Sequence, residues 1–446
     1  MLDLDQLTTV AGVVDHQVFQ RGDDGTATVT LRGEARVAPL ELRRDGAPVA
    51  AVAHPGLWQA TVALPAGGPY ALTAHSGDAD VPLASSLRVG DLWLLAGQSN
   101  MQGWGMLAAA EPATPDVVMF DMSRRWRPAT DPLHELPVSP DPVHWADIPQ
   151  THREQFTALS ADRGAGLGIP FGREYASRTG IPVGLLPAAH GGTTMAQWSP
   201  DSAHLGGSSL YGSLLNTVAA AGGRVAGVLW YQGETEPSAD GFLDRLRGIV
   251  SALRRDLDDP GLPFFHVQAG RIVAPEELAD PVRLTAVRAA QARFDEAGVI
   301  GAATAVDLGL DDCCHLDTAG LARLGRRLAR LAVGDSGTLR LAELSVRRWT
   351  IDGGAIDAEI NLRFAGVTGR LRSDGPVHGF SVHDETGRVV PVLYKAEARD
   401  SEVRLLLGGP VPDGGLWLSY GHGLDPACDL VDEADTAALA FGPVPL

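Results

Sequence analysis

One serine stands in a position suited to chemistry. Leu92–Ala96 is a short apolar run, and Gly97-Gln98-Ser99-Asn100-Met101 follows it at once. A tight polar turn is one reading; a serine presented to react is the other. A hydroxyl is a weak nucleophile until a base takes its proton, so the second reading needs partners elsewhere in the chain. Leu310-Asp311-Asp312-Cys313-Cys314-His315 supplies a base. His315 comes after the apolar run Val299–Val306, and Asp312 lies three residues before it. On a tight loop that spacing lets a carboxylate hold one imidazole nitrogen while the other faces the serine. The plainer alternative is a surface loop whose Asp317 or Thr318 caps the next helix.

Two more apolar runs end in groups that suit acyl transfer. After Val183–Leu186 comes His190-Gly191-Gly192-Thr193, and a Gly-Gly turn lets backbone N–H groups approach a developing oxyanion. After Val225–Trp230 comes Tyr231-Gln232-Gly233-Glu234, where the Gln232 amide is a neutral donor for the same charge. Each alone is weak, because glycine turns are common at strand ends. Together they place four polar clusters after four apolar runs.

The elements that would position these groups follow from hydrophobic rhythm. Residues 1–88 alternate with period two: Ala27, Val29 and Leu31, then Trp58, Ala60, Val62 and Leu64. That pattern between turn clusters predicts antiparallel strands and a small β-sandwich. From 89 to 334, short apolar runs, Pro263–Val267 among them, alternate with helical stripes. One stripe is Phe242, Leu246, Ile249, Val250 and Leu253; another is Leu321, Leu324, Leu328 and Leu331, stopped by Gly334. This predicts a parallel sheet covered on both faces, with ligands at the carboxyl ends of its strands. Residues 106–165, rich in Pro, Asp, His and Trp, read as an insertion over the sheet edge. Residues 335–446 return to β alternation, with Ile356, Ala358, Ile360, Leu362 and Phe364.

The order of these motifs resembles the sialate O-acetylesterase-like branch of the SGNH hydrolases, which shares it with related acetylxylan esterases. His16–Arg21, Gly68-Pro69-Tyr70, Val89–Trp93, Tyr420-Gly421-His422 and Pro426–Leu430 extend the likeness over most of the chain. The resemblance implies an SGNH (flavodoxin-like) three-layer α/β hydrolase domain at 89–334, flanked by all-β modules at 1–88 and 335–446. It implies Ser99 as nucleophile, His315 as base and then acid, and Asp312 as the group orienting His315, with Glu234 as a competing acid partner. The oxyanion hole would be the N–H groups of Ser99 and Gly192 with the Gln232 side chain. The implied reaction removes an O-acetyl group from a sugar, sialate first and xylan or another glycan second, without a cofactor or metal. The chain departs from the pattern at Ala96 and Leu316, where relatives often have Ser and Pro, and in carrying Cys313 and Cys314 inside the loop.

For His134, His144, His190, His204, Trp104, Trp145 and Trp198 packing is the better reading of each taken singly; Trp198, then His190, are the most attractive as side chains that touch the sugar. A sialate carboxylate would call for an arginine, with Arg153, Arg163, Arg271 and Arg288 available. A binding protein on an inactive esterase scaffold is the rival of another class, and it predicts loss of the serine, base or donors, all of which are present.

Composition narrows the rest. The 446 residues carry a formal net charge of −19 with no basic cluster, which argues against a nucleic-acid partner. Cys313, Cys314 and Cys428 are the only cysteines, an odd number without metal-ligand spacing, so neither a disulfide framework nor a metal site is expected. The acidic N-terminus lacks the pattern of an export leader, and no apolar run is long enough to span a bilayer, so a cytoplasmic location is expected, with no membrane partner.

Overall fold

The computed structural model describes residues 7–36, 38–76, 79–146, 161–275, 280–350, 356–408 and 415–446. A mixed sheet lies at its centre. Its strands are β1 (Ala79–Gly97), β2 (Val117–Phe120), β3 (Trp126–Pro128), β4 (Val183–Pro187), β5 (Gly227–Tyr231), β6 (Phe264–Gln268) and β7 (Gly301–Thr304). The order across the sheet is β3-β2-β4-β1-β5-β6-β7, parallel throughout except for β3 at the edge. The five apolar runs read from sequence all became strands. Val117–Phe120 did not declare itself, because four apolar residues inside a Pro- and Asp-rich stretch carry too little pattern. The segment expected to lie over the sheet edge thus contributes two strands to the sheet itself.

Alternation along β1 explains the layers. Leu92, Leu94 and Ala96 enter one buried cluster, and Trp93 and Leu95 enter another. The first cluster takes Leu210, Leu214 and Val218 from helix Leu210–Ala221, and Leu246, Ile249 and Leu253 from helix Phe242–Asp256. The second takes Ile169, Phe171 and Tyr175 from helix Gly168–Thr179, and Leu321, Leu324 and Leu328 from helix Thr318–Val333. Both sheet faces are therefore dry, which is why its strands are continuously apolar rather than alternating. Asp317 caps the helix Thr318–Val333, its carboxylate accepting the Gly320 N–H at 2.6 Å, and Gly334 ends it at φ +81°.

β1 does not begin in this sheet. Its first half pairs antiparallel with strand Gly67–Ser76, and Arg88–Gly90 pair with Val18–Gln20. From Asp91 onward the same strand pairs with β4 and then β5. The division expected at residue 88 thus falls inside one strand. Strands Thr26–Ala35 and Gly56–Pro65 pair across the N-terminal region and share its core through Val29, Leu31, Val62 and Leu64.

The C-terminal region builds its own core around Ile360, Leu362, Val403, Leu405 and Leu418. Two buried side chains join it to the central sheet. The Gln268 amide exchanges both hydrogen bonds with the Ala440 peptide, at 2.8 Å each way. The Arg288 guanidinium, 1 % exposed, donates to the carbonyls of Gly421, Gly423 and Leu424. Among the described residues no helix is long and apolar enough to cross a membrane.

Candidate active site

Ser99 sits at the carboxyl end of β1, in the middle of the sheet, as the first residue of a single turn of helix, Ser99–Gln102. Gly97 sets it there. Its φ is +130°, and a Cβ at that position would meet the Tyr231 carbonyl oxygen at 2.1 Å, so only glycine allows β1 to leave the sheet this close to β5. The Gln98 N–H then donates to that carbonyl at 2.8 Å.

The next residue ties this turn to the histidine loop. Asn100 is 1 % exposed, and its side chain spans three partners. Nδ2 donates to the Cys314 carbonyl at 3.1 Å and to Glu234 Oε1 at 3.0 Å, and Oδ1 accepts the Leu316 N–H at 3.0 Å. The residues on both sides of His315 are thus pinned to the residue after Ser99. Sequence reasoning missed Asn100, because its partners lie 134 to 216 positions away.

Asp312 and His315 form a close pair, Oδ2 to Nδ1, at 2.7 Å. The other carboxylate oxygen accepts the backbone N–H groups of Cys314 at 3.0 Å and His315 at 2.8 Å. Burial raises the Asp312 pKa, but those N–H groups and the imidazole outweigh it and hold the carboxyl below its ordinary value. Glu234 makes no such contact; one of its oxygens is taken by Asn100 and the other is buried without a hydrogen-bond partner among the described residues. Of the two candidate acids, Asp312 is the one beside the imidazole. The Cys314 thiol lies 3.8 Å from His315 Nδ1, and burial with the neighbouring Cys313, Asp312 and Glu234 pushes its pKa up to about 12, which suits it poorly to nucleophilic attack.

The Gly-Gly turn meets Ser99 from the other side. A Cβ on Gly191 would lie 3.3 Å from the Ser99 Cβ, so the bare backbone of Gly191 packs on the serine. The Gly191 N–H goes to Gln102 Oε1 at 2.8 Å. The N–H groups of Ser99 and Gly192 have no acceptor among the described residues.

Two expected contacts fail. Gln232 is fully buried, and both of its amide protons are taken, by the Thr193 carbonyl at 3.2 Å and by Glu236 Oε1 at 2.7 Å. It has no donor left for an oxyanion. Glu236 also accepts the Met195 N–H, so the pair braces the loop after the Gly-Gly turn. Trp198 is likewise fully buried, packed edge-on to Trp230 with its Nε1–H on Thr193 Oγ1 at 3.0 Å, and cannot stack on a sugar. Sequence distance placed both residues near the site, but spacing says nothing of which way a side chain turns.

The aromatic ring at the site is Trp104 instead, with its centroid 5.2 Å from that of His315. Arg163 lies over the same indole, donates to the Trp104 carbonyl at 3.0 Å, and stands 4.0 Å from Asp312 Oδ2. It alone of the described arginine candidates is beside the pair. Arg271 is paired with Asp425, Arg288 is buried among carbonyls, and Arg153 lies outside the described residues. His204 is exposed, with Nδ1 on the Asp201 carbonyl, and His134 is buried.

His190 is half-buried beside Gly191, and a relay fixes its tautomer. Asp141 Oδ2 accepts the Ser213 hydroxyl proton at 2.8 Å. Ser213 Oγ must then accept from His144 Nε2 at 3.0 Å. Burial lowers the His144 pKa to about 3, so the ring is neutral and its Nδ1 is a bare acceptor for His190 Nδ1–H at 3.2 Å. His190, whose pKa burial also lowers, is left with Nε2 as an acceptor.

Comparison with known proteins gives this arrangement a class. A probable carbohydrate esterase of Arabidopsis thaliana is 26% identical over 216 residues, 43% of this chain and 73% of that one. The crystal structure of a carbohydrate acetylesterase from Xanthomonas citri shares the fold, with a TM-score of 0.64 at 22% identity, covering 98% of this chain and 99% of the other. The family described as carbohydrate esterase, sialic acid-specific acetylesterase matches residues 89–334. The chain belongs to that family.

Proposed function

We propose that this protein is a serine acetylesterase that removes O-acetyl groups from a carbohydrate by way of an acetyl-enzyme, with an O-acetylated sialic acid as the first substrate to test. The observation that carries the reading is the Asn100 clamp, which holds the Ser99 turn against the Asp312–His315 pair. Ser99 Oγ attacks the acetyl carbonyl while His315 Nε2 takes its proton. Asp312 keeps the Nδ1 proton in place and stabilises the imidazolium. The N–H groups of Ser99 and Gly192 receive the oxyanion. His315 returns the proton to the departing sugar oxygen, and then activates the water that releases acetate from Ser99. His190 Nε2 accepts a hydrogen bond from a sugar hydroxyl.

Sialate is preferred to xylan because of Arg163. Its Nη1 donates to the Trp104 carbonyl and lies 4.0 Å from Asp312 Oδ2, and a guanidinium held beside the pair suits a substrate carboxylate. The parallel strand order and the two dry sheet faces support an SGNH-type three-layer domain at 89–334. The separate cores on either side support β modules at 1–88, as a β-sandwich, and at 335–446.

The test is acetate release from 4-nitrophenyl acetate, O-acetylated sialic acid and acetylated xylan, comparing wild type with Ser99→Ala. Activity that collapses in the variant supports the serine mechanism. Arg163→Ala is expected to raise KM for the sialate more than for the neutral esters. A folded wild type that releases no acetate from any of them refutes the reading.

A further inference from the structure

The loop that carries Asp312 and His315 holds two thiols that the reaction does not use. Cys313 is exposed and Cys314 half-buried, and both are free. Consecutive side chains on an extended segment point apart, but this loop turns them together. One ligand atom each from Asp312, Cys313 and Cys314 lie within 4.8 Å of one another. The His315 ring is a fourth potential donor, 3.8 Å and 3.9 Å from Cys314 Sγ through its two nitrogens.

We propose that Cys313, Cys314 and Asp312 form a binding site for a thiophilic divalent cation such as Zn2+ or Cd2+, and that filling it stops the esterase reaction. The inhibitory half rests on the roles assigned above to Asp312 and His315; the binding half does not. Two sulfurs and a carboxylate oxygen, with imidazole in reach, are the soft and borderline donors such cations select. In a tetrahedral site with metal–sulfur bonds of about 2.3 Å, the sulfurs stand roughly 3.8 Å apart, so side-chain movement of about 1 Å closes the cluster. The exposed Cys313 gives the cation an entry. Asn100 holds the Cys314 carbonyl and the Leu316 N–H, so the loop is already shaped and little ordering is needed. As each sulfur–metal bond forms, the thiol releases its proton to solvent, and no oxidant or reductant takes part.

The consequence for the reaction is geometric. Asp312 Oδ2 is the acceptor that holds His315 Nδ1. Once the carboxylate turns to a cation, the imidazole loses the contact that orients it. If His315 joins the cation itself, the lone pair that takes the Ser99 proton is gone.

The experiment titrates CdCl2 into the metal-free full chain, following thiolate-to-cadmium charge-transfer absorption and 4-nitrophenyl acetate hydrolysis together. Wild type is expected to saturate with a single cation per chain and to lose activity at the same midpoint, with both effects reversed by a chelator. Cys313→Ser keeps basal activity, and the double variant Cys313→Ser/Cys314→Ser is read by absorption alone. They are expected to need at least about tenfold more cadmium, and the double variant to lose the absorption. The exposed Cys313 variant carries the test if the double variant does not fold. Absence of thiolate absorption in wild type, or equal absorption in the folded double variant, overturns the site. Absorption that saturates while hydrolysis continues overturns the inhibitory half and counts against the Asp312–His315 assignment, leaving the site standing.

Discussion

Asn100→Ala is the substitution that bears hardest on the reasoning. The wild-type side chain makes three buried hydrogen bonds of 3.0–3.1 Å, to Glu234, Cys314 and Leu316. At about 1 kcal/mol net for each, their loss costs about 3 kcal/mol of stability, and stranding the Leu316 N–H and the Glu234 carboxylate pushes the figure upward. The cost in rate comes from position. Releasing both sides of His315 lets its ring drift, and a misplacement of about 1 Å costs on the order of a hundredfold. The expected result is a folded enzyme with a lowered melting temperature and kcat/KM for 4-nitrophenyl acetate down about a hundredfold, mostly in kcat. Asn100→Asp is the control of equal shape. It keeps the acceptor for Leu316 but turns the contacts with Glu234 and the Cys314 carbonyl into oxygen–oxygen ones, so it should be no better than alanine. A folded Asn100→Ala protein with kcat/KM within about threefold of wild type refutes the idea that this residue holds nucleophile and base together.

Asp312→Asn is expected to lower kcat by about a thousandfold or more, as tautomer control of the base is lost, whereas Glu234→Gln should cost far less; the reverse order in steady-state kinetics reassigns the acid. Gly191→Ala places a methyl group 3.3 Å from the Ser99 Cβ and is expected to reduce kcat with little change in melting temperature. Asp131 tests linkage. Burial raises its pKa from 3.8 to about 7, so the fold holds this carboxyl neutral where the unfolded chain ionises it, and the penalty grows from about pH 4 and is complete above pH 7. Asp131→Asn should therefore raise the melting temperature at pH 8, by a gain of up to about 4 kcal/mol, and change little at pH 4; equal effects at both, in paired thermal melts, argue against a buried carboxyl.

The sequence displayed the parts of this molecule that local pattern controls. Five strands of the central sheet, the helices Phe242–Asp256 and Thr318–Val333, and the Asp312–His315 spacing all follow from runs and stripes a few residues long. What stayed hidden depends on distant parts of the chain meeting. Asn100 is an ordinary turn residue until the fold brings Cys314 and Leu316 to it. Gln232 stands at the right strand end, but Glu236 and Thr193 claim its protons. Trp198 follows the Gly-Gly turn closely and still rotates into the core against Trp230. Arg163 was one of several arginines until Trp104 and Asp312 came beside it. The boundary at 88 falls inside a continuous strand, because period-two alternation in the N-terminal region passes into the apolar run Leu92–Ala96 without a break in backbone conformation.

That unbroken strand makes the N-terminal region part of the lever on which Ser99 is mounted. The ladder holding Arg88–Gly90 to Val18–Gln20 runs straight into the ladder holding Asp91 to β4, and Arg21 and Tyr175 both bind the Asp91 carboxylate, at 2.8 Å, where the two meet. There is no hinge to cut at. Shortening the chain to residue 89 would remove the rear half of β1 and strip Val89 and Gly90 of Phe19 and Gln20, while leaving Ser99, Asp312 and His315 in the chain. Any rearrangement of the N-terminal β structure reaches Ser99 as a tilt of its own backbone. Exchanging that region between relatives therefore amounts to regrafting the root of the strand that carries Ser99, and its success depends on register at Arg88–Asp91 rather than on the length of a linker.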